Sequence, residues 1–140
     1  MSTLIKVYGF HLDVFEHVNN ARYLEFLEQA RWDWIEQHLD LAWFKRHGLA
    51  LVVANININY RLPANLGDEL IISCDIAEVG IKSGVLSQKI VRKQDGALIS
   101  DALVTFVLVD INTKKALTLT DQLREKLEYV RQSADLMLSS

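Results

Sequence analysis

Within residues 9–31, GFHLDVFEHVNNARYLEFLEQAR, two histidines, an aspartate and two adjacent asparagines stand directly in front of an amphipathic run. Three chemistries fit these residue types. His11, Asp13 and His17 supply imidazole and carboxylate groups that could bind a metal, but their spacing matches no zinc template, so no metal site is expected. As a plain loop, Asp13 would form an Asx-turn, Asn19 would cap the following helix and the histidines would be half-exposed. As a catalytic site, Asp13 would face the first-turn amides at Asn19 to Ala21. There the unpaired N–H groups and the positive end of the helix dipole stabilise developing negative charge. A carboxylate opposite such a hole can hydrolyse an activated acyl group, by direct attack or through water. Residues 9–20 contain no serine or cysteine, which disfavours a serine- or cysteine-type acyl enzyme.

The elements that hold this loop follow from periodicity. TLIKVYGF (3–10) reads as a first strand, rich in β-branched and aromatic residues. From Asn20 to about Gln37 the period becomes helical. Tyr23, Leu24, Leu27, Ala30, Trp34 and Ile35 form one stripe, opposite Arg22, Glu25, Gln29, Asp33 and Glu36, and Asn19 or Asn20 can cap the start. Arg31 falls within the apolar stripe and Glu28 at its margin, three residues earlier. A charge on a buried face needs a partner, so these two read as a structural pair, with Glu28 as a general base the open alternative.

A short helical turn is expected over 41–47, broken by Gly48. In LALVVANININYRL, Ala54, Ile56, Ile58 and Tyr60 alternate with Asn55, Asn57 and Asn59, which is the period of a strand. Three further strands follow at 68–79, 83–93 and 97–111, the last two joined by the hairpin signal QDGA. NTKK turns the chain again, and Thr120 or Asp121 caps a C-terminal helix with Leu123, Leu127 and Val130 on its apolar face. This order predicts an α+β fold, with one long helix laid on a curved antiparallel sheet. One helix cannot cover such a sheet and its edges, so a homodimer or homotetramer is expected, the asparagine comb pairing across the seam.

Composition bounds the rest. The 140 residues, half of them apolar, fit a single domain over 1–140. The lone Cys74, in an apolar alternating run, suits a reducing cytoplasm and reads as a buried structural thiol. The longest apolar run, LALVVA at 49–54, is far too short to insert into a membrane, and a net charge of −3 gives no general attraction to nucleic acid. An anionic ligand would need a local basic cluster, of which Lys82, Lys89, Arg92 and Lys93 form the best candidate. By itself that cluster also reads as a solvated strand edge.

HLDVFEHVNNARYLEFLEQAR resembles the signature of the hotdog-fold acyl-CoA thioesterases of the 4-hydroxybenzoyl-CoA thioesterase superfamily. VVANININYRLPANLGDEL, KSGVLSQ, DALVTFVLVD and KALTLTDQLREKL extend the resemblance over nearly the whole chain, toward the bacterial long-chain acyl-CoA thioesterases. The resemblance implies a hotdog fold and hydrolysis of fatty acyl-CoA to free acid and CoA, with coenzyme A as part of the substrate and no cofactor. It implies a dimer whose sheets join edge to edge, with the active sites at the interface. Asp13 would be the catalytic carboxylate and the N–H of Asn20 the group that polarises the thioester carbonyl. His17 would be an acid, a base, an orienting group or a purely structural one. Tyr23, Leu24 and Leu27 would line the acyl chain, and Lys82, Ser83 and Arg61 would meet the nucleotide. A thioesterase acting on acyl-carrier protein or aromatic acyl-CoA, and a non-catalytic acyl-CoA-binding module, are the alternatives.

Overall fold

The computed structural model describes residues 2–139, with side chains through residue 134. Its elements run β1 (Ser2–Lys6), α1 (Asn20–His38), α2 (Leu41–Arg46), β2 (Leu49–Tyr60), β3 (Glu69–Val79), β4 (Ser83–Arg92), β5 (Leu98–Asp110), β6 (Ala116–Leu117) and α3 (Asp121–Ser139). The strands form one six-stranded sheet in the order β1-β3-β4-β5-β2, with β6 against β5. β1 lies antiparallel to β3 with Leu4 opposite Ile71, and β6 lies antiparallel to β5. No helix among the described residues is long and apolar enough to cross a membrane.

The first strand is shorter than its β-rich sequence suggests. It stops at Lys6 because Val7 leaves the ladder for the turn before β3, donating to the Asp68 carbonyl and accepting from Gly67 N–H. Tyr8 N–H then finds a side chain, Nδ1 of His11 at 2.9 Å, and Gly9–His11 closes as a single 3-10 turn. Here a local side-chain acceptor has displaced strand pairing.

The chain divides into two compact units. The first comprises residues 1–37, 58–74 and 88–102. In it α1 buries Tyr23, Phe26, Leu27, Ala30 and Trp34, with Leu70, Ile72, Ile90 and Ile99 from the strands also buried. The buried arc is turned toward Phe26 relative to the sequence stripe, so Leu24 is 37% exposed and Arg31 sits at the margin of the arc. Arg31 does not pair with Glu28. Its guanidinium donates to Oε1 of the wholly buried Gln88, whose Nε2 donates to the Leu27 carbonyl. Burial pushes the Arg31 pKa down, and the field of exposed Glu28 opposes this from a distance. Cys74 is buried, as its alternating run implied.

The second unit comprises residues 38–57, 75–87 and 103–140. α2 starts at Asp40, whose Oδ1 accepts from the amides of Ala42 and Trp43, and α3 starts at Thr120, whose Oγ1 accepts from Leu123 N–H. Phe44, Leu86, Val104, Phe106, Leu108, Leu123 and Leu127 are buried here. Gly84 is required by its neighbour, since a Cβ at this position would enter the ring of Phe106.

β2 lies at the end of the strand order, which leaves its outer side unpaired within the protomer. The side chains of Asn55, Asn57 and Asn59 are exposed, but Asn59 is already engaged: its Nδ2 donates to Asp101 Oδ1 at 2.9 Å. The comb is therefore not wholly available to a seam.

Candidate active site

The loop before α1 is a small hairpin. Leu12 bridges Val18, Asp13 N–H donates to the His17 carbonyl, and Glu16 takes a left-handed φ of 64° to turn the chain. The far side of the hairpin is fixed to the next turn, where His17 bridges Asn65 and Val18 N–H donates to the Ala64 carbonyl. That turn is held in its own right. Buried Asp68 accepts from Asn65 N–H, Gln94 Nε2 and Arg92, while Ala64 N–H donates to the hydroxyl of buried Tyr23. Asp13 thus stands on a loop tied to both the turn and the helix.

A helix start leaves four amides without intrahelical acceptors. At α1 three of them are satisfied. Asn19 N–H donates to the His11 carbonyl, Ala21 N–H to Asn19 Oδ1 at 3.0 Å, and Arg22 N–H to the Asn19 carbonyl. Asn19 is thus the cap, and the N–H of Asn20 is the amide left over among the described residues. Asn20 and Asp13 line one groove of about 440 Å³, together with His17, Tyr23, Tyr60 and Arg61. Asp13 Oδ1 accepts from Phe15 N–H in the Asx-turn, and Oδ2 makes no hydrogen bond among the described residues. The Asx-turn and a carboxylate oxygen without a partner among the described residues therefore coexist in one groove-lining residue.

The two histidines have separate situations. His11 is 9% exposed and accepts from Tyr8 N–H, which makes Nδ1 the unprotonated nitrogen. Burial first and the Arg22 guanidinium second hold its pKa below the ordinary value, against the pull of Glu25. His17 is exposed in the groove, and its ring makes no hydrogen bond among the described residues. Among those residues no three His, Cys, Asp or Glu side chains converge as a ligand set.

Of the other expected site residues, Tyr23 lines the groove, Leu24 is exposed one residue further along α1, and Leu27 is wholly buried. Arg61 lines the groove but is engaged by a carboxylate: Nε and Nη2 donate to Asp101, which raises the Arg61 pKa and lowers that of Asp101. Lys82 is exposed and Ser83 half-buried, both in the second unit and neither among the groove residues. Tyr60 was read from sequence only as a member of the apolar face of β2, yet its hydroxyl reaches the Asn20 carbonyl at 3.3 Å. The second unit has a groove of similar size lined by Trp43, Phe44 and Leu123, but the Asp40 carboxylate at its rim is spent on capping α2.

A family model described as the thioesterase-like superfamily matches residues 10–127. The chain is 56% identical over 130 residues to the long-chain acyl-CoA thioesterase FadM of Escherichia coli strain K12, covering 93% of this chain and 98% of the relative. It is 31% identical over 107 residues to the acyl-CoA thioester hydrolase YbgC of E. coli O6:H1, covering 76% and 79%. Among solved structures, that of YbaW, a probable thioesterase from E. coli, aligns with a TM-score of 0.86 at 54% identity, covering 94% of this chain and 98% of that one.

The state of His11 sets a pH dependence of stability. Because its folded pKa is lowered, the folded protein binds fewer protons than the unfolded chain just below the ordinary value of about 6.5. The contribution is present in full above about 6.5 and is lost as pH falls through the lowered value. Urea unfolding should therefore show stability rising with pH below about pH 6.5, with a smaller rise in His11→Asn, which keeps an acceptor for Tyr8 N–H but does not titrate.

Proposed function

The chain belongs to the thioesterase-like superfamily, and from that premise we propose how it works: it is an acyl-CoA thioesterase that hydrolyses fatty acyl-CoA, long chains preferred, to free acid and CoA. One observation carries the mechanism. Asp13, whose Oδ2 makes no hydrogen bond among the described residues, and Asn20, whose first-turn N–H makes none either, line the same groove. In this reading Asp13 draws a proton from water as the water oxygen adds to the thioester carbon. The carbonyl oxygen becomes an oxyanion that accepts from Asn20 N–H. Collapse breaks the C–S bond, and the departing thiolate takes the proton back from Asp13.

Coenzyme A enters as part of the substrate, and the route uses no further cofactor. Tyr23 lines the groove and Leu24 and Leu27 continue its helix, so the acyl chain is taken to follow that side of α1. Arg61 keeps Nη1 beyond its two bonds to Asp101, enough for one phosphate oxygen. For Lys82 and Ser83 a nucleotide contact is proposed from charge and polarity alone. Residues 1–140 are taken to act as one domain, since the family match at 10–127 spans segments of both units. A cytoplasmic location is supported by the single buried thiol.

The unpaired outer side of twelve-residue β2, with Val52 and Val53 exposed on it, supports a dimer formed along that edge. Light scattering at low micromolar protein should give a dimer or tetramer. A monomer would remove the seam.

Hydrolysis assayed over a panel of acyl-CoA lengths should give turnover that favours long chains. Asp13→Asn keeps the side chain's shape and its bond to Phe15 N–H while removing its basicity. Turnover should fall ~10²–10⁴-fold with folding intact. His17→Gln should cost less. The reverse ranking, with both proteins folded, would move the chemistry to His17, and binding without turnover in the parent would make the chain a binding module.

A further inference from the structure

The free N–H of Asn20 is useful only if it is aimed, and the peptide units around it show how the aim is kept. The Asn19–Asn20 peptide has its carbonyl held by Arg22 N–H, and the following Asn20–Ala21 peptide has its N–H held by Asn19 Oδ1. The remaining polar end of the second peptide, the Asn20 carbonyl, takes the helix's own amide four residues on and, from outside the helix, the hydroxyl of Tyr60. Three of the four polar ends flanking Asn20 are thus tethered, and the fourth, the N–H of groove-lining Asn20, makes no hydrogen bond among the described residues. The first two tethers are local to the helix start. The third comes from the last residue of β2, forty positions away, and it alone ties the first turn of α1 to the sheet through a side chain of that strand.

We propose that Tyr60 is a positioning residue for thioester hydrolysis, its hydroxyl fixing the Asn20–Ala21 peptide and so the direction of the neighbouring Asn20 N–H. The inference rests on the reading of that N–H as the oxyanion donor. The geometry suits the role. The Tyr60 ring stands 5.6 Å from that of buried Tyr23, whose own hydroxyl is occupied by Ala64 N–H, so the two rings brace each other while only the Tyr60 hydroxyl turns to the helix. At 3.3 Å the contact is longer than the usual ~2.8 Å between hydroxyl and carbonyl, which leaves it room to shorten when an oxyanion pulls on the adjoining amide. Tyr60 lines the groove but acts on the reaction through Asn20, its hydroxyl proton being engaged by the Asn20 carbonyl.

Tyr60→Phe removes the hydroxyl and keeps the ring. Loss of one neutral hydrogen bond predicts a fall in kcat of about three- to tenfold, with KM changed by less than about twofold, because the strained species is the tetrahedral one. The pH profile of kcat should keep its shape, since Asp13 is untouched. The fall should be equal for acyl thioesters of an alkyl and an aryl thiol, since no proton reaches the leaving group from Tyr60. Free of activity, amide exchange measured by NMR should quicken at Ala21, whose N–H belongs to the peptide that Tyr60 holds, and stay unchanged at Asp13, whose N–H is held by His17. Unchanged kcat, a loss confined to KM, or a loss confined to the alkyl thioester would each overturn the proposal, the last by making Tyr60 an acid. Asp13→Asn run in parallel separates the failures. If it abolishes turnover while Tyr60→Phe is silent, only the role of Tyr60 falls. If it retains turnover, the reading of the groove falls and the role of Tyr60 with it.

Discussion

A helix cannot satisfy its own first amides, and the rest of this site is arranged around how that debt is settled at α1. The hairpin carbonyl of His11, the side chain of Asn19 and the carbonyl of Asn19 take three of the four N–H groups. The one left over belongs to Asn20, which lines a groove together with the carboxylate of Asp13, at the positive end of the helix dipole. Water can satisfy an exposed amide at little cost, so the unpaired Asn20 N–H is tolerable in the resting protein and available to a developing oxyanion.

Keeping a carboxylate opposite that amide is a problem of loops, which are mobile unless tied down. Here the ties are redundant. The hairpin carrying Asp13 bonds the turn at 64–65, the turn bonds Tyr23 of α1, and Asp68 anchors the turn to Arg92 and Gln94. Arg92 is held in turn by Asp95 in the β4–β5 hairpin, where Gly96 at φ 73° and the Ala97 amide on Asp95 complete a tight turn. Asp68 is buried with its oxygens satisfied by three donors, the condition under which a buried carboxylate is tolerated. The same helix is gripped further along by Gln88, whose side chain is fully buried yet uses both its amide ends, one on the Leu27 carbonyl and one on Arg31.

What could be read in the sequence was what depends on neighbours in the chain. The helix caps, read as Asn19 or Asn20 and as Thr120 or Asp121, the Asx-turn at Asp13 and the strand through 49–60 are all settled within a few residues, and the structure takes Asn19, Thr120 and a strand whose alternation is kept over 55–59 while Ala54 and Tyr60 are exposed. The partners of Arg31, Asp68 and Tyr60 lie 57, 24 to 26 and 40 positions away, and no local period encodes them. Glu28 stands one helical turn before Arg31, but the guanidinium meets the buried amide of Gln88 instead. The turn of the buried arc toward Phe26 has the same origin, because the strands decide which apolar side chains of a broad stripe go inside. The two-residue β6 follows the NTKK turn and is assigned no element from sequence, for a pair of residues against β5 leaves no periodic signal.

The central claim is that one backbone N–H does the electrostatic work, and it can be tested on that atom. Replacing the Asn19–Asn20 peptide bond by an ester, with an α-hydroxy acid carrying the asparagine side chain at position 20, deletes the N–H and keeps every side chain. Removal of one oxyanion donor predicts a fall in kcat of about 10²–10³-fold with cooperative unfolding retained. The same ester one residue later, at the Ala21 amide already capped by Asn19, controls for the weakened carbonyl and should cost far less. A position-20 ester that turns over acyl-CoA at the parent rate, or no worse than the position-21 ester, would contradict the account.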